Sequence, residues 1–586
     1  MAMRLPGRVS NGEDFWRMLT EKRHGLCDVP NDRFSVSGFY GEAEQPGTIP
    51  VKQGYYLQDV DIMQLDTSFF AVSGAELEGM DPQQRVLLQV AYECMEDAGA
   101  TSWKSSSIGC YVGVFSHDRK EMNAMETVGA GYYLLTGAQG FMLANRISYQ
   151  FDLRGPSMIV ETACSSSMVC LDLACSAIQK GDCDGALVCG TSLFISPATT
   201  VSLSEYGLLS PSGTCKTFDA SADGYGRGEA INAIYIKRLS HAIRDGDRIR
   251  AVIRGTSSNC DGGRQGFLMP SPDAQEALIR RTYEQAGISD LSETAMIECH
   301  GTGTRVGDPL EVQALGRCFG EKDIAITSVK SNVGHSEGAA GVTGIIKAVL
   351  ALENRQIPPQ VFFDTPHPEI PFEKYRFHVP VETEAWPEGR AERISLSSFG
   401  IGGANTHVIL ESLEQYETGE PRSKRTYING KAATGDHVEN DDGDRAHLLL
   451  FSANSEESLK GSIENHRERL PHSTASLKDV AYTLACRRDH MTHRTYAVVG
   501  SKPIALDTQP PVAVKVAPKI AWVFTGQGAQ WPAMGAELID SNLVFRRAIS
   551  RLDKFLRGLP EAPRWSIEGM EPAEPRFQPV TDVACR

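Results

Sequence analysis

The sequence predicts an α/β fold for most of its length. Apolar, strand-like runs such as Gly185–Ser196 (GALVCGTSLFIS) alternate with helical runs such as Pro82–Ala98. Glycine-rich turns separate them, without any short repeat. Helix ends are punctuated: Ser271 can cap a helix, Pro272 suits its first turn, and Gly287 can end it. This alternating block spans residues 1–412.

The character changes after Glu411. Residues 413–445 contain GEPRSK, NGKAATGDH and ENDDGD with few apolar positions, the composition of a disordered linker. A small α/β linker domain is expected over 446–518. It has strands at His447–Ser452 and Thr495–Gly500 and helices at Ser455–Leu470 and Leu477–Arg487. A strand at Ile520–Thr525 (IAWVFT) opens a third segment, 519–586, whose tail is rich in Pro and Glu. That segment is too short for a sizeable enzyme domain.

Composition bounds the function. A chain of 586 residues suggests two to four domains, and 41% apolar with 23% charged residues is ordinary for a globular protein. No run of eighteen apolar residues suggests a membrane-spanning helix. The net charge of -16, from 58 basic and 74 acidic residues, argues against general nucleic-acid binding. The 14 cysteines are scattered in apolar runs without a CxxC pair, so zinc and thioredoxin-like readings fail and no metal is expected. Without a signal peptide, a reducing, cytoplasmic setting is expected.

The sharpest local feature is Val160–Met168 (VETACSSSM), where a strand-like stretch runs into Cys164 and a helix follows from Ser165 to near Gly181. A thiol at a helix start meets the positive end of the macrodipole, which favours the thiolate, and the free amides there can stabilise an oxyanion. Two histidines stand at comparable ends of strands: His300 in Glu298–Thr304 (ECHGTGT) and His335 in Lys330–Gly338 (KSNVGHSEG). Cysteine, two histidines and the nearby Lys330 form a constellation suited to acyl transfer. Each histidine taken alone is as readily structural.

VETACSSSM, ECHGTGTRVGDP, KSNVGHSEGAAG and SSFGIGGANTH resemble, in order, the four signatures of the β-ketoacyl synthase family. Asp81–Arg85 (DPQQR) and Phe218–Glu229 (FDASADGYGRGE) resemble its type I polyketide synthase subgroup, and the whole is most similar to highly reducing polyketide synthases of filamentous fungi. The likeness runs from about Met3 to Glu411. Residues 446–518 resemble the ketosynthase–acyltransferase linker, and Phe524–Gly535 (FTGQGAQWPAMG) resembles the opening of an acyltransferase.

The resemblance implies a thiolase-like, layered αβαβα ketosynthase fold and usually a homodimer. It implies that Cys164 takes an acyl chain as a thioester, and that His300 and His335 stabilise the enolate left when a malonyl unit loses carbon dioxide. Both substrates would arrive on the phosphopantetheine arm of an acyl carrier protein acting in trans, with no cofactor bound to the chain. Lys330 would organise the polar network, with an acidic residue such as Glu311 as its partner. The amides of Cys164 and Ile401 would form the oxyanion hole. Thr302 and Thr304 would bind the pantetheine arm, or be turn-stabilising hydroxyls. Phe399 would line the substrate path. Ile401 stands where phenylalanine is frequent as a gate, and Ser397 replaces a frequent asparagine. Arginines such as Arg227 or Arg305 are open choices for docking the carrier.

Rival readings remain at this level. Gly334–Gly338 (GHSEG) formally matches the nucleophile elbow of serine hydrolases, with Ser336 as nucleophile. It lies wholly inside KSNVGHSEGAAG and precedes GQGAQ, whereas an acyltransferase carries its GHSxG after that motif. A thiolase would use a second cysteine where this chain has a second histidine. The chain opens MAMRLPG, where the family has an apolar strand just before this segment, so a gap in a central sheet is expected. Only 56 residues follow Gln530, without another GHSxG. An inactive megasynthase fragment, at most a dimerisation partner, is therefore the alternative function.

Overall fold

The computed structural model describes residues 1–419 and 446–563 together with 566, apart from 42–44, 102, 126–132, 264–265, 267, 321, 474, 501–505, 515–518, 520, 524–530 and 532–533. It forms two compact units, Met1–Ala513 and Val514–Arg586.

The larger unit is built around two sheets. The first contains β1 (Ala2–Arg4), β2 (Ile108–Gly113), β3 (Ser157–Val160), β4 (Gly185–Ser192) and β5 (Ala230–Lys237) in the order β1-β5-β4-β2-β3. The second contains β6 (Val252–Cys260), β7 (Thr294–Glu298), β8 (Ile324–Thr327), β9 (Phe377–His378), β10 (Ala391–Phe399) and β11 (Ala404–Glu411) in the order β9-β8-β7-β10-β11-β6. Setting aside β9, the second order repeats the first. Each sheet has a parallel core, β4-β2-β3 or β10-β7-β8, flanked by two antiparallel strands.

Helices complete five layers. α1 (Pro82–Asp97) covers one face of the first sheet, where Val86, Val90 and Ala91 pack with Val112, Leu187 and Ile231. Between the sheets lie α2 (Ser166–Lys180) and, later in the chain, α5 (Ala340–Asn354). Their apolar residues share one core with Val188 of β4 and Leu396 of β10. α3 (Pro272–Gln285) and α4 (Gly307–Phe319) close the far face of the second sheet through Ile279, Tyr283, Val312 and Leu315. The later helix is apolar nearly all round because it faces two sheets. Ser271 accepts the amide of Ala274 as the cap of α3, and Pro272 occupies its first turn.

Several sequence expectations change in detail. Ala2–Arg4 itself forms a short edge strand, pairing antiparallel with Ile231–Ala233, while the rest of that edge of β5, Ile234–Lys237, has no strand partner on this side among the described residues and lines a cavity with Met1. The brevity and mixed AMR composition of Ala2–Arg4 hid it. The linker expected over 413–445 begins instead with a helix, Leu413–Thr418, capped by the Ser412 hydroxyl; 420–445 lie outside the described residues. The linker domain is a sheet of β12 (His447–Ala453), β13 (His493–Val499) and β14 (Val512–Ala513) with α6 (Glu456–Arg469) and α7 (Leu477–Cys486). Ala521–Val523 are not in a strand, and Ile520, Phe524 and Thr525 lie outside the described residues, as do Gln527 and Gln530. The smaller unit has helices at Ala536–Ser541 and Leu543–Arg557. No helix among the described residues is long and apolar enough to cross a membrane.

Candidate active site

Three strand ends and one hairpin converge on a cavity of about 130 Å³ lined by Cys164, His300, His335, Thr302, Thr304, Phe399 and Ile401, among others. A larger cavity of about 400 Å³ runs along β5 and holds none of these candidates.

Cys164 follows β3 in a single 3-10 turn, Ala163–Ser165, that leads into α2. Ala163 sits at φ 55°, the left-handed conformation that an L-residue rarely adopts, and this sharp turn presents the thiol. Ser166 donates to the Ala163 carbonyl at 2.6 Å, Ser165 donates to the Thr162 carbonyl at 2.8 Å, and Ser398 of β10 donates to the Cys164 carbonyl at 2.9 Å. The serines of VETACSSSM therefore brace the turn. Gly400 permits the hairpin to approach, since a Cβ there would lie 2.2 Å from the Thr162 carbonyl oxygen.

Burial pushes Cys164 up to about 12, and the Glu337 charge adds to this; the amides of Ile401 and Cys164 and the charge of Lys330 oppose it. Burial thus opposes the helix-end field that favours the thiolate. The same two amides hydrogen-bond toward the sulfur, the arrangement expected of an oxyanion hole.

The donor atoms of Cys164, His300 and His335 all lie within 4.8 Å of one another. The two imidazoles meet edge to face, with centroids 5.5 Å apart and an interplanar angle of 85°. His300 Nδ1 accepts the Phe399 amide at 3.4 Å, and His335 Nδ1 accepts the Glu337 amide at 3.0 Å. Both hydrogen bonds assign the proton to Nε2. Among the described residues His335 Nε2 has no hydrogen-bond partner although it is buried. Burial holds both rings well below the ordinary histidine range, assisted by the Lys330 charge, so both are neutral at pH 7. Cysteine and two histidines are also a donor set that Zn²⁺ accepts.

The supporting residues take up specific places. Glu311 of α4 accepts the amides of His300 at 2.7 Å and Gly301 at 2.8 Å, which fixes the turn; Lys330, buried nearby, acts on it through charge. Burial raises Glu311 to about 7 and Asp308 to about 6. Thr302 and Thr304 hydroxyls lie 3.1 Å apart, and Thr304 accepts the Gly307 amide at 3.2 Å, so both line the cavity and brace its turn. Phe399 packs against His300 with centroids 5.7 Å apart, and Ile401 is partly exposed at the rim. Ser397 bonds to His407 inside the sheet rather than in the cavity. Ser336, the rival nucleophile, is buried and lies 3.3 Å from the Thr343 hydroxyl. Arg227 is buried and ion-paired with Glu337, which removes it as a docking residue. Sequence reading passed over Glu337, although a lone carboxylate at the mouth of the apolar AAGVTGIIKAV helix was a visible signal.

A thiol and two neutral imidazoles converging between duplicated α/β halves define a thiolase-like, acyl-transferring enzyme. The chain belongs to the β-ketoacyl synthase family: residues 1–242 match its N-terminal domain, 250–364 its C-terminal domain and 366–498 the ketoacyl-synthetase C-terminal extension, while 521–560 match the acyl transferase domain. Among curated relatives, the highly reducing polyketide synthase lcsB of Purpureocillium lilacinum is 52% identical over 97% of this chain, and g433 of a Fusarium species is 48% identical over 97%. The chain spans about a quarter of their length, 25% and 22% respectively. An oxazolomycin ketosynthase domain of Streptomyces albus has a TM-score of 0.76 at 32% identity, covering 85% of each chain. The ketosynthase from module 6 of the bacillaene synthase of Bacillus subtilis has a TM-score of 0.74 at 29% identity, covering 99% of this chain and 95% of its own.

Proposed function

We propose that this chain condenses an acyl group with a malonyl unit in polyketide assembly. Its substrates come on the phosphopantetheine arm of a carrier protein in trans, and it works as a cytoplasmic homodimer. The carrying observation is that two imidazoles, each with Nδ1 taken by a backbone amide, stand within 4.8 Å of a thiol that is itself addressed by two backbone amides.

In the first half-reaction the Cys164 sulfur attacks the acyl thioester. The amides of Cys164 and Ile401 meet the tetrahedral oxyanion, and pantetheine leaves carrying the proton given up by the thiol. In the second, the carboxylate–carbon bond of the malonyl thioester breaks, carbon dioxide departs, and the electron pair passes into an enolate. The Nε2–H groups of His300 and His335 donate to the enolate oxygen. The enolate carbon then forms the new bond to the acyl carbonyl, and the Cys164 sulfur leaves as a thiolate and takes a proton from water. Neutral imidazoles suit this role because they donate a hydrogen bond without surrendering the proton. Thr302 and Thr304 offer hydroxyls to the amides of the pantetheine arm, Phe399 lines its path, and Lys330 supplies positive charge as anions form.

Intact mass after incubation with a short acyl-pantetheine tests the first step. A single acyl adduct that is absent from Cys164→Ala is expected. No adduct in folded protein would favour the alternative, an inactive partner.

A further inference from the structure

Glu337 takes no part in the steps above, yet it is buried against His335 and Arg227. It is a non-glycine residue at φ 44°, a conformation that costs free energy unless the surroundings enforce it. Its amide is the donor to His335 Nδ1. Its carboxylate Oε1 lies 3.3 Å from Nε of Arg227, with the two side chains 1% and 5% exposed. Arg227 is held in turn: Nη1 donates to the Thr200 hydroxyl at 2.6 Å, and the guanidinium lies 3.7 Å over the Phe194 ring. The segment carrying Arg227, just before β5, also brackets His335. The His335 amide donates to the Gly226 carbonyl, and the Gly228 amide donates to the His335 carbonyl, each at 2.8 Å. Tyr225 packs its ring 4.9 Å from that of His335.

One three-residue stretch thus grips His335 from both sides of its backbone and anchors the residue that addresses its ring. The corresponding turn of the first half has Ala163 at φ 55°, with no side chain to anchor. There the reacting group is a thiol, which has no tautomer to set.

We propose that the buried Arg227–Glu337 ion pair is a positioning device for His335, holding the Glu337 amide against Nδ1 so that Nε2 keeps its proton and faces the reacting oxygen. Glu337 is a positioning residue, acting through His335 on the enolate-forming step alone. The proposal rests on the role given to His335 above.

The test combines two readouts on the full chain. Selective ¹⁵N-histidine labelling, with His335→Gln to assign the signal, reads the tautomer in the resting protein. Malonyl-pantetheine decarboxylation and Cys164 acylation by acyl-pantetheine read the two half-reactions separately. Ala163 shows that alanine adopts this backbone conformation, so Glu337→Ala is the first variant. The expected result is a mixed His335 tautomer, decarboxylation reduced about tenfold or more, and acylation undiminished, since losing the Glu337 charge lowers the Cys164 thiol if anything. Glu337→Gln, which keeps a hydrogen-bonding arm for Arg227, restores a single tautomer and most of the decarboxylation. Arg227→Met, which keeps apolar packing on Phe194, shifts the tautomer as Glu337→Ala does and serves in its place should the alanine variant not fold. A single Nε2–H tautomer retained in Glu337→Ala or Arg227→Met would overturn the proposal, as would acylation and decarboxylation falling together. Wild-type protein that shows one tautomer but no decarboxylation would instead sink the condensing function, while the tautomer readout still judges the ion pair.

Discussion

The two halves of the larger unit follow one plan and put different chemistry at the same place. In each, the parallel strand at the far side of the shared core, β3 or β8, leads toward a 3-10 turn opened by a positive-φ residue. A central helix of 15 residues follows. The first half has Ala163 and then Cys164; the second has Glu337 and then Gly338, with His335 two residues earlier. Two residues past the partner strands β2 and β7 stand Phe115 and His300, both lining the cavity. Duplication supplied the scaffold, and a few side chains at equivalent turns divide the labour: one half holds the nucleophile and the other holds both imidazoles.

The largest expected effect comes from Cys164→Ala, which leaves the first turn as bare as the second. Intact mass should then show complete loss of the acyl adduct. Next is the pH dependence of that thiol. Because burial pushes the thiol up to about 12, Cys164 alkylation in the free protein should rise about tenfold per pH unit from pH 7 to 10 without a plateau, following the thiolate fraction. A plateau near neutrality would mean that the first turn ionises its thiol after all. His335→Ala tests the second half: malonyl-pantetheine decarboxylation should fall by about 10²–10³, while Cys164 acylation survives. Gly338→Ala asks whether the second turn can accept a side chain where the first has one. A Cβ there would lie 2.7 Å and 2.8 Å from backbone atoms of Val114 and Phe115, so thermal unfolding should show a loss of about 1–3 kcal/mol. The smallest effect is expected from Ser271→Ala at the start of α3, outside this pairing. Loss of its cap should cost about 1 kcal/mol in denaturant unfolding and leave both half-reactions intact.

The features legible in the sequence were those encoded locally. The α2 helix, the Ser271 cap and the strand-to-turn settings of Cys164, His300 and His335 each follow from a few neighbouring residues. Sheet order did not, because the duplication is expressed by pairing between strands tens of residues apart. The setting of the thiol is non-local for a related reason. A helix start can be read from VETACSSSM, but the cavity around Cys164 is completed by Tyr225, Glu337 and Phe399–Gly403, far along the chain. Glu337 itself was visible as a charge in an apolar setting, yet its partner Arg227 lies 110 positions away. The three-residue strand at Ala2–Arg4 is too short to carry a periodic pattern.

The contact between the two central helices has a consequence for heredity. At Gly341, a Cβ would lie 2.4 Å from the Met168 side chain and 3.0 Å from the Met168 amide nitrogen, so α5 nests directly against α2. A recombination that joined the first half of one such protein to the second half of another would have to match glycine to methionine across this seam. Lineages that shuffle these genes should therefore exchange the block as a whole, and a crossover between the halves should survive only when both sides of the seam arrive together.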